Sequence, residues 1–285
     1  RNAYKDFDNS NDEMSMDKIN NLKNDIRNGT QILAKCGIPI QGKKIMDVGC
    51  YLGLQCFGAM ELGAGEAVGI DIPEYYVNQS TNNESVDASK VLENKRDKIR
   101  KLHPHLDQSK ISFKDVSVFE MDYENEFDII FSWETFEHIM NPKEALARIY
   151  KALKPGGIVF SQYNPFFCLS GGHSMCTLDF PFAHTLLTDE DFKKYVETIV
   201  PENAPPKYSE LSYNFFTKNL NRMTQNDLTK YINDVGFELV NFMSMPDLSL
   251  LNVIDDSTLD SAKTIHPTLT LNDLLCSSVY FIGRK

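Results

Sequence analysis

A chain of 285 residues, 42% of them hydrophobic, carries enough apolar side chain for a sizeable core, which excludes global disorder and fibrous folds. The net charge is −11, and Lys and Arg cluster only at Lys95, Arg96, Lys98, Arg100 and Lys101, a stretch read as a solvated helix face; no nucleic-acid partner is expected. The six cysteines (Cys36, Cys50, Cys56, Cys168, Cys176, Cys276) lack CxxC spacing, no signal-peptide pattern opens the sequence, and no apolar run approaches the ~20 residues of a membrane span. The expectation is a soluble, cytoplasmic protein with reduced thiols and no membrane partner.

In chain order, the first 30 residues are polar, with Met14, Met16, Ile19, Leu22 and Ile26 at helical spacing, which predicts an amphipathic helix within an N-terminal extension of residues 1–42. Strand and helix then alternate. Strands are predicted at Lys44–Val48, Ala67–Ile70, Ile111–Lys114, Phe127–Phe131 and Ile158–Gln162, and helices at Leu54–Leu62, Ser85–Leu102 and Pro142–Leu153, with a polar insertion from Pro73. Beyond Pro165 the alternation stops, and an aromatic-rich stretch over 166–225 reads as a lid or substrate-recognition insertion. A helix at Asn226–Val235 and strands at Phe237–Met243 and Ser277–Ile282 complete the pattern, with a second insertion over 246–275. The fold class is α/β: a doubly wound, mostly parallel seven-stranded sheet with helices on both faces, its core formed by residues 43–165 and 226–285.

The sharpest local signal is Asp47-Val48-Gly49-Cys50-Tyr51-Leu52-Gly53 between a buried strand and a helix, where Gly49 allows a tight turn and close approach of a ligand to the backbone. Asp71 follows the second strand, placed to accept hydrogen bonds from both hydroxyls of a ribose. The GxGxxG cradle of nicotinamide enzymes is absent, and the Asp47 carboxylate would repel a pyrophosphate but attract a ligand with ammonium and sulfonium charges.

These residues resemble those of class I S-adenosylmethionine-dependent methyltransferases, strongly over residues 43–164 and in topology over 226–285. The resemblance implies S-adenosyl-L-methionine as cofactor, with Asp47, Gly49, Cys50, Tyr51 and Gly53 at its methionine end, Asp71 on the ribose and Ile72 packing on adenine. It further implies Asp115 and Val116 as adenine contacts, Ser132 and Trp133 as backbone contacts to the cofactor amine, and Lys154-Pro155-Gly156-Gly157 as a structural turn.

Directly after the fourth strand, Glu134, Glu137 and His138 would share one face if a helix starts there, a set suited to Mg, Mn, Fe or Zn. The Glu-x-x-Glu-His spacing resembles metal-dependent O-methyltransferases, in which a further His follows the fifth strand; His173 is the candidate fourth ligand. A metal would lower the pKa of an acceptor hydroxyl; without one, His138, His173 or His184 could serve as general base. Phe166, Phe167, Phe180, Phe182, Tyr195, Tyr208, Tyr213, Phe215 and Phe216 read as walls of an acceptor pocket, with Asn164 and Asn214 as polar contacts. The acceptor is expected to be a small molecule or carbohydrate, methylated on a hydroxyl. An N-methyltransferase and a non-catalytic S-adenosylmethionine-binding protein are the alternatives.

Overall fold

The computed structural model describes residues 19, 23–72, 88–176, 178–200 and 207–285; Met14, Met16, Leu22 and the polar insertion after Pro73 lie outside them. Seven strands form one sheet: β1 (Lys44–Val48), β2 (Glu66–Asp71), β3 (Ile111–Asp115), β4 (Phe127–Trp133), β5 (Leu153–Tyr163), β6 (Glu238–Pro246) and β7 (Cys276–Arg284). Their order is β3-β2-β1-β4-β5-β7-β6. β1 pairs in parallel with β2 and β4, β2 with β3, and β6 runs antiparallel to β7, so the sheet is mixed within the expected α/β class. The central strands are almost wholly buried (Ile45, Met46, Val68, Ile70, Ile129, Ile130), as strands covered on both faces must be. β5 starts earlier than expected, at Leu153, with Gly156 at φ +76° inside it.

The chain forms two compact units. The first comprises residues 1–133, 151–160 and 285. Its described helices are α1 (Asn24–Lys35), α2 (Leu54–Glu61) and α3 (Ala88–Lys101). α1 buries Ile26, Gly29, Thr30 and Leu33, the i, i+3, i+4, i+7 stripe of an amphipathic helix. Its close approach depends on Gly29: a methyl group there would lie 2.5 Å from the Trp133 ring. Just before it, the fully buried Lys23 places Nζ 2.8 Å from Glu61 and 3.0 Å from Nε2 of His103. Nδ1 of His103 donates to the Ile99 carbonyl at 2.8 Å, so Nε2 carries the lone pair that receives the Lys23 proton. Burial, with Lys23 adding to it, holds the His103 pKa below the usual range and keeps the ring neutral for this role. The start of α1 is thereby fastened to α2 and to the end of α3.

The second unit comprises residues 134–150 and 161–284. It carries the helix α4 (Pro142–Ala152), whose proline occupies the first turn, up to Tyr150. Residues 166–225 are not a plain loop: short helices at His173–Cys176 and Ala183–Leu186 are followed by α5 (Asp189–Thr198) and α6 (Tyr208–Lys218). α7 (Gln225–Val235) opens on a capping box between Thr224 and Asp227 and closes on Gly236 at φ +102°. The second insertion also contains helices, α8 (Asp256–Ile265) and α9 (Leu271–Leu275). Among the described residues no helix is long and apolar enough to cross a membrane.

Replacing Gly29 with Ala should lower stability by about 1–3 kcal/mol through overpacking against Trp133. Urea denaturation measures this, and an unchanged midpoint would show that α1 is not held against that ring.

Candidate functional site

In the first unit, β1 delivers Asp47 to the sheet's carboxyl end and the chain turns back into α2. The turn is bound inward. Backbone N–H groups of Gly49 and Cys50 donate to the Ile70 carbonyl at 2.9 and 3.1 Å, and that of Gly53 donates to the Cys50 carbonyl at 2.7 Å. Tyr51, in the left-handed region at φ +44°, donates its N–H to Oδ2 of Asp71. Donors that a phosphate cradle would turn outward are thus committed to β2, an arrangement unsuited to pyrophosphate. Gly53 lies at φ +75°, and a Cβ there would sit 2.2 Å from the Phe113 ring, so the position admits only glycine without rearrangement.

Asp47 is 1% exposed, and neither carboxylate oxygen has a hydrogen-bond partner among the described residues. Burial first, then the charges of Asp71 and Asp25, raise its pKa to about 8. A buried carboxylate without donors is costly, and a ligand that brings an ammonium group offsets the cost. The residues therefore fit the positively charged end of S-adenosylmethionine. Asp25 was not legible in the sequence: it reaches this neighbourhood because Gln55 accepts from the Ile26 N–H at 3.1 Å and its amide lies 3.5 Å from Oδ2 of Asp25.

Of the other residues assigned to the donor, Asp71 is buried, with Oδ1 accepting from its neighbour's N–H at 2.7 Å. That neighbour, Ile72, is 46% exposed, an open apolar side chain beside the acid. Asp115 ends β3 on the surface, and Val116 follows it half-buried. Ser132 is buried and donates to the Val48 carbonyl at 3.1 Å, while Trp133 stacks on Phe131 and packs on Phe160. One sequence expectation is corrected here. The basic stretch of α3 is not wholly a solvated face, because Arg96 is 4% exposed and turned toward the Cys50–Tyr51 turn and Asp115.

In the second unit the expected helix after β4 does not form. Glu134 is at φ +46°, and a single 3-10 turn covers Phe136–His138, so Glu134, Glu137 and His138 do not share a helical face. The turn is held by two asparagines, Asn164, expected as a polar contact of the acceptor, and Asn221, which the sequence did not single out. Asn221 Nδ2 donates to the carbonyls of Phe136 and Ile139, and its N–H donates to the Glu137 carbonyl at 2.9 Å. Asn164 donates its N–H and its side-chain amide to Oε1 of Glu137, both at 3.2 Å, and the same amide lies 3.2 Å from Glu134. Oε2 of Glu137 is buried with no hydrogen-bond partner among the described residues, and burial raises the pKa of the group.

His138 places Nδ1 2.8 Å from the Asn219 carbonyl. A carbonyl only accepts, so Nδ1 carries the proton and the neutral ring's lone pair sits on Nε2. His173 stands at φ +59°, its ring 5.7 Å from that of His138 and 4.9 Å from Phe215. His184 lies apart from this pair in its bonding. It is 2% exposed, its Nε2 faces the carbonyls of Phe166 and Cys168 at 2.8 and 3.0 Å, and burial lowers its pKa to about 4. Among the described residues no three His, Cys, Asp or Glu side chains gather as a metal-binding group, so the donor set does not fit the expected ion and no step is derived through one. Phe166, Phe167, Phe182 and Phe216 are buried, Phe216 stacked on Phe192 at 3.9 Å, and so pack the unit's core instead of walling a pocket. Phe180, Tyr195, Tyr208, Tyr213 and Asn214 remain half-buried.

Comparison with known proteins agrees with this geometry. The sequence profile of a methyltransferase-domain family matches residues 21–241. The chain belongs to the class I S-adenosylmethionine-dependent methyltransferase family. It is 26% identical over 126 residues to a mitochondrial ubiquinone biosynthesis O-methyltransferase of Dictyostelium discoideum, a stretch covering 43% of this chain and 36% of that protein. With the ubiquinone biosynthesis O-methyltransferase of Dechloromonas aromatica the identity is 30% over 125 residues, 43% of this chain and 45% of the relative. The match therefore spans less than half the length of these relatives. The fold is shared with the magnesium protoporphyrin IX methyltransferase of Synechocystis solved with bound SAH, at TM-score 0.53 and 10% identity over all of this chain and 93% of that one. An S-adenosylmethionine dependent methyltransferase from Mesorhizobium loti gives TM-score 0.50 and 12% identity, covering 91% of this chain and 100% of the other.

The site carries its own pH signature. Folding raises the Asp47 pKa from its ordinary value to about 8, so the native protein favours the protonated form and loses that advantage as pH rises through this range. Ligand-free methyltransferase should lose stability between about pH 4 and about pH 8, and Asp47→Asn should flatten the decline. Urea titrations across that range test this; an equal slope in the variant would assign the pH dependence to other groups.

Proposed function

We propose that this protein transfers the methyl group of S-adenosylmethionine to a hydroxyl of a small polar acceptor, with His138 as general base. The observation that carries the reading is the buried carboxylate of Asp47, to which none of the described residues donates and which calls for a cationic partner. Asp71 would hold the ribose, Asp115 and Ile72 the adenine, and the chain around Ser132 and Trp133 the amine. When bound, the donor supplies a methyl group activated by its sulfonium charge. The acceptor oxygen forms its bond to carbon as the carbon–sulfur bond breaks, and its proton passes to Nε2 of His138, the ring nitrogen that the Asn219 carbonyl leaves as acceptor. Glu137, Asn164 and Asn221 act as positioning residues, because they fix the turn that presents His138.

Oxygen is favoured over nitrogen as acceptor by this arrangement, since a hydroxyl must lose its proton during attack whereas a neutral amine needs only alignment. The names of the curated relatives, O-methyltransferases of ubiquinone biosynthesis, support the same choice. Within the hydroxyl class we favour a sugar or sugar-linked metabolite, with residues 166–225 as the acceptor-recognition insertion. A cytoplasmic location belongs to the same proposal, supported by six cysteines that form no disulfide.

Two measurements test this reading. Asp71→Ala should weaken binding of S-adenosylhomocysteine in calorimetry while the fold survives, and undiminished affinity would count against the ribose assignment. His138→Ala should reduce labelled-methyl transfer by roughly 10²–10⁴-fold with S-adenosylhomocysteine affinity retained. The acceptor panel should contain sugar-linked metabolites, phenols and amines; methylation of amines alone, or a fully active variant, rejects the hydroxyl and base assignments respectively.

A further inference from the structure

Arg96 lies within α3, a helix whose other basic residues are half-buried or exposed, yet it is 4% exposed. A guanidinium cannot shed its charge, so a buried one must be fully paired. Its Nε donates to the Tyr51 carbonyl at 2.9 Å, Nη1 lies 3.4 Å from Oδ1 of Asp115, Nη2 lies 3.6 Å from Sγ of Cys50, and the group sits 4.7 Å from the centre of the Phe113 ring. Phe113 is the ring that fills the space over Gly53. One planar fork thus joins the turn after β1 to the end of β3, which no local sequence pattern connects.

The consequences run in both directions from the guanidinium. Tyr51 accepts from Arg96 through its carbonyl and donates through its N–H to Asp71, so its left-handed conformation is held between a cation and an acid. On the other side Arg96 restrains the carboxylate of Asp115, which is otherwise a surface group at a strand end. The positive charge also stands among carboxylates that repel one another, the Asp71 charge already being felt by Asp47. We propose that Arg96 is a positioning residue that sets Asp71 and Asp115 for the nucleoside half of the donor before the donor arrives. The inference rests on the donor reading above and adds a residue that contacts no reacting atom.

The test is calorimetric titration of S-adenosylhomocysteine into wild type, Arg96→Met, Arg96→Lys, Asp115→Asn and the Arg96→Met/Asp115→Asn double variant, each checked by circular dichroism at the titration temperature. Loss of paired hydrogen bonds to charged groups should weaken binding by roughly 10- to 100-fold in Arg96→Met and by less in Arg96→Lys, which keeps the charge without the fork. The double variant should lose clearly less than the product of the two single losses, because Asp115 acts in part through Arg96. A purely stabilising arginine would lower the melting temperature and leave the dissociation constant and the coupling untouched. If Arg96→Met does not fold, Arg96→Lys decides: weakened binding supports the assignment and wild-type binding overturns it. Wild-type affinity in a folded Arg96→Met, or fully independent losses in the double variant, overturns it as well. Failure of the wild type itself to bind would instead remove the donor reading, and this inference with it.

Discussion

Asp47 places a carboxylate at the buried end of a parallel strand where none of the described residues donates to it. A charge in this position raises the free energy of the fold, so the group holds its proton until a cation is supplied. The surrounding backbone does nothing to relieve it. Gly49 and Cys50 direct their N–H groups to the Ile70 carbonyl, and Tyr51 directs its own to Asp71. The site is poised for a positive ligand because its own donors are already spent on shaping the turn.

The same economy of donors shapes the second unit. The Glu-x-x-Glu-His stretch is not helical, because Glu134 adopts a left-handed conformation and the chain manages only one 3-10 turn before Pro142 begins α4. What defines the stretch is a set of three asparagines: Asn164 donates to Glu134 and Glu137, Asn221 donates to the carbonyls of Phe136 and Ile139, and the Asn219 carbonyl accepts from His138. The backbone carbonyl of Asn219 decides the tautomer of His138, and the amide of Asn164 decides where the two glutamates turn. A pattern that resembles a metal-binding motif here commits Oε1 of Glu137 and Nδ1 of His138 to hydrogen bonds inside the protein.

Membership of the methyltransferase family rests on a match that spans residues 21–241, whereas the Dictyostelium O-methyltransferase matches over 126 residues. Residues 166–225 contribute buried phenylalanines, a histidine locked onto two carbonyls, and helices.

The strands β1, β2 and β4 were legible because strands covered on both faces must be continuous apolar runs, and Asp47, the glycine turn and Asp71 were legible because a strand–turn–helix unit repeats them at fixed spacing. The helices of the insertion were not, since their aromatic residues serve an internal core and leave no clean one-sided stripe. The local sequence determined which residues carry charge and where the chain turns. Only the tertiary structure decided that Arg96 leaves the solvated face for Asp115, that Asp25 comes within electrostatic range of Asp47, and that His138 finds the Asn219 carbonyl. Those pairings join residues 19 to 81 positions apart, and their partners are selected by burial, which no short window of sequence encodes.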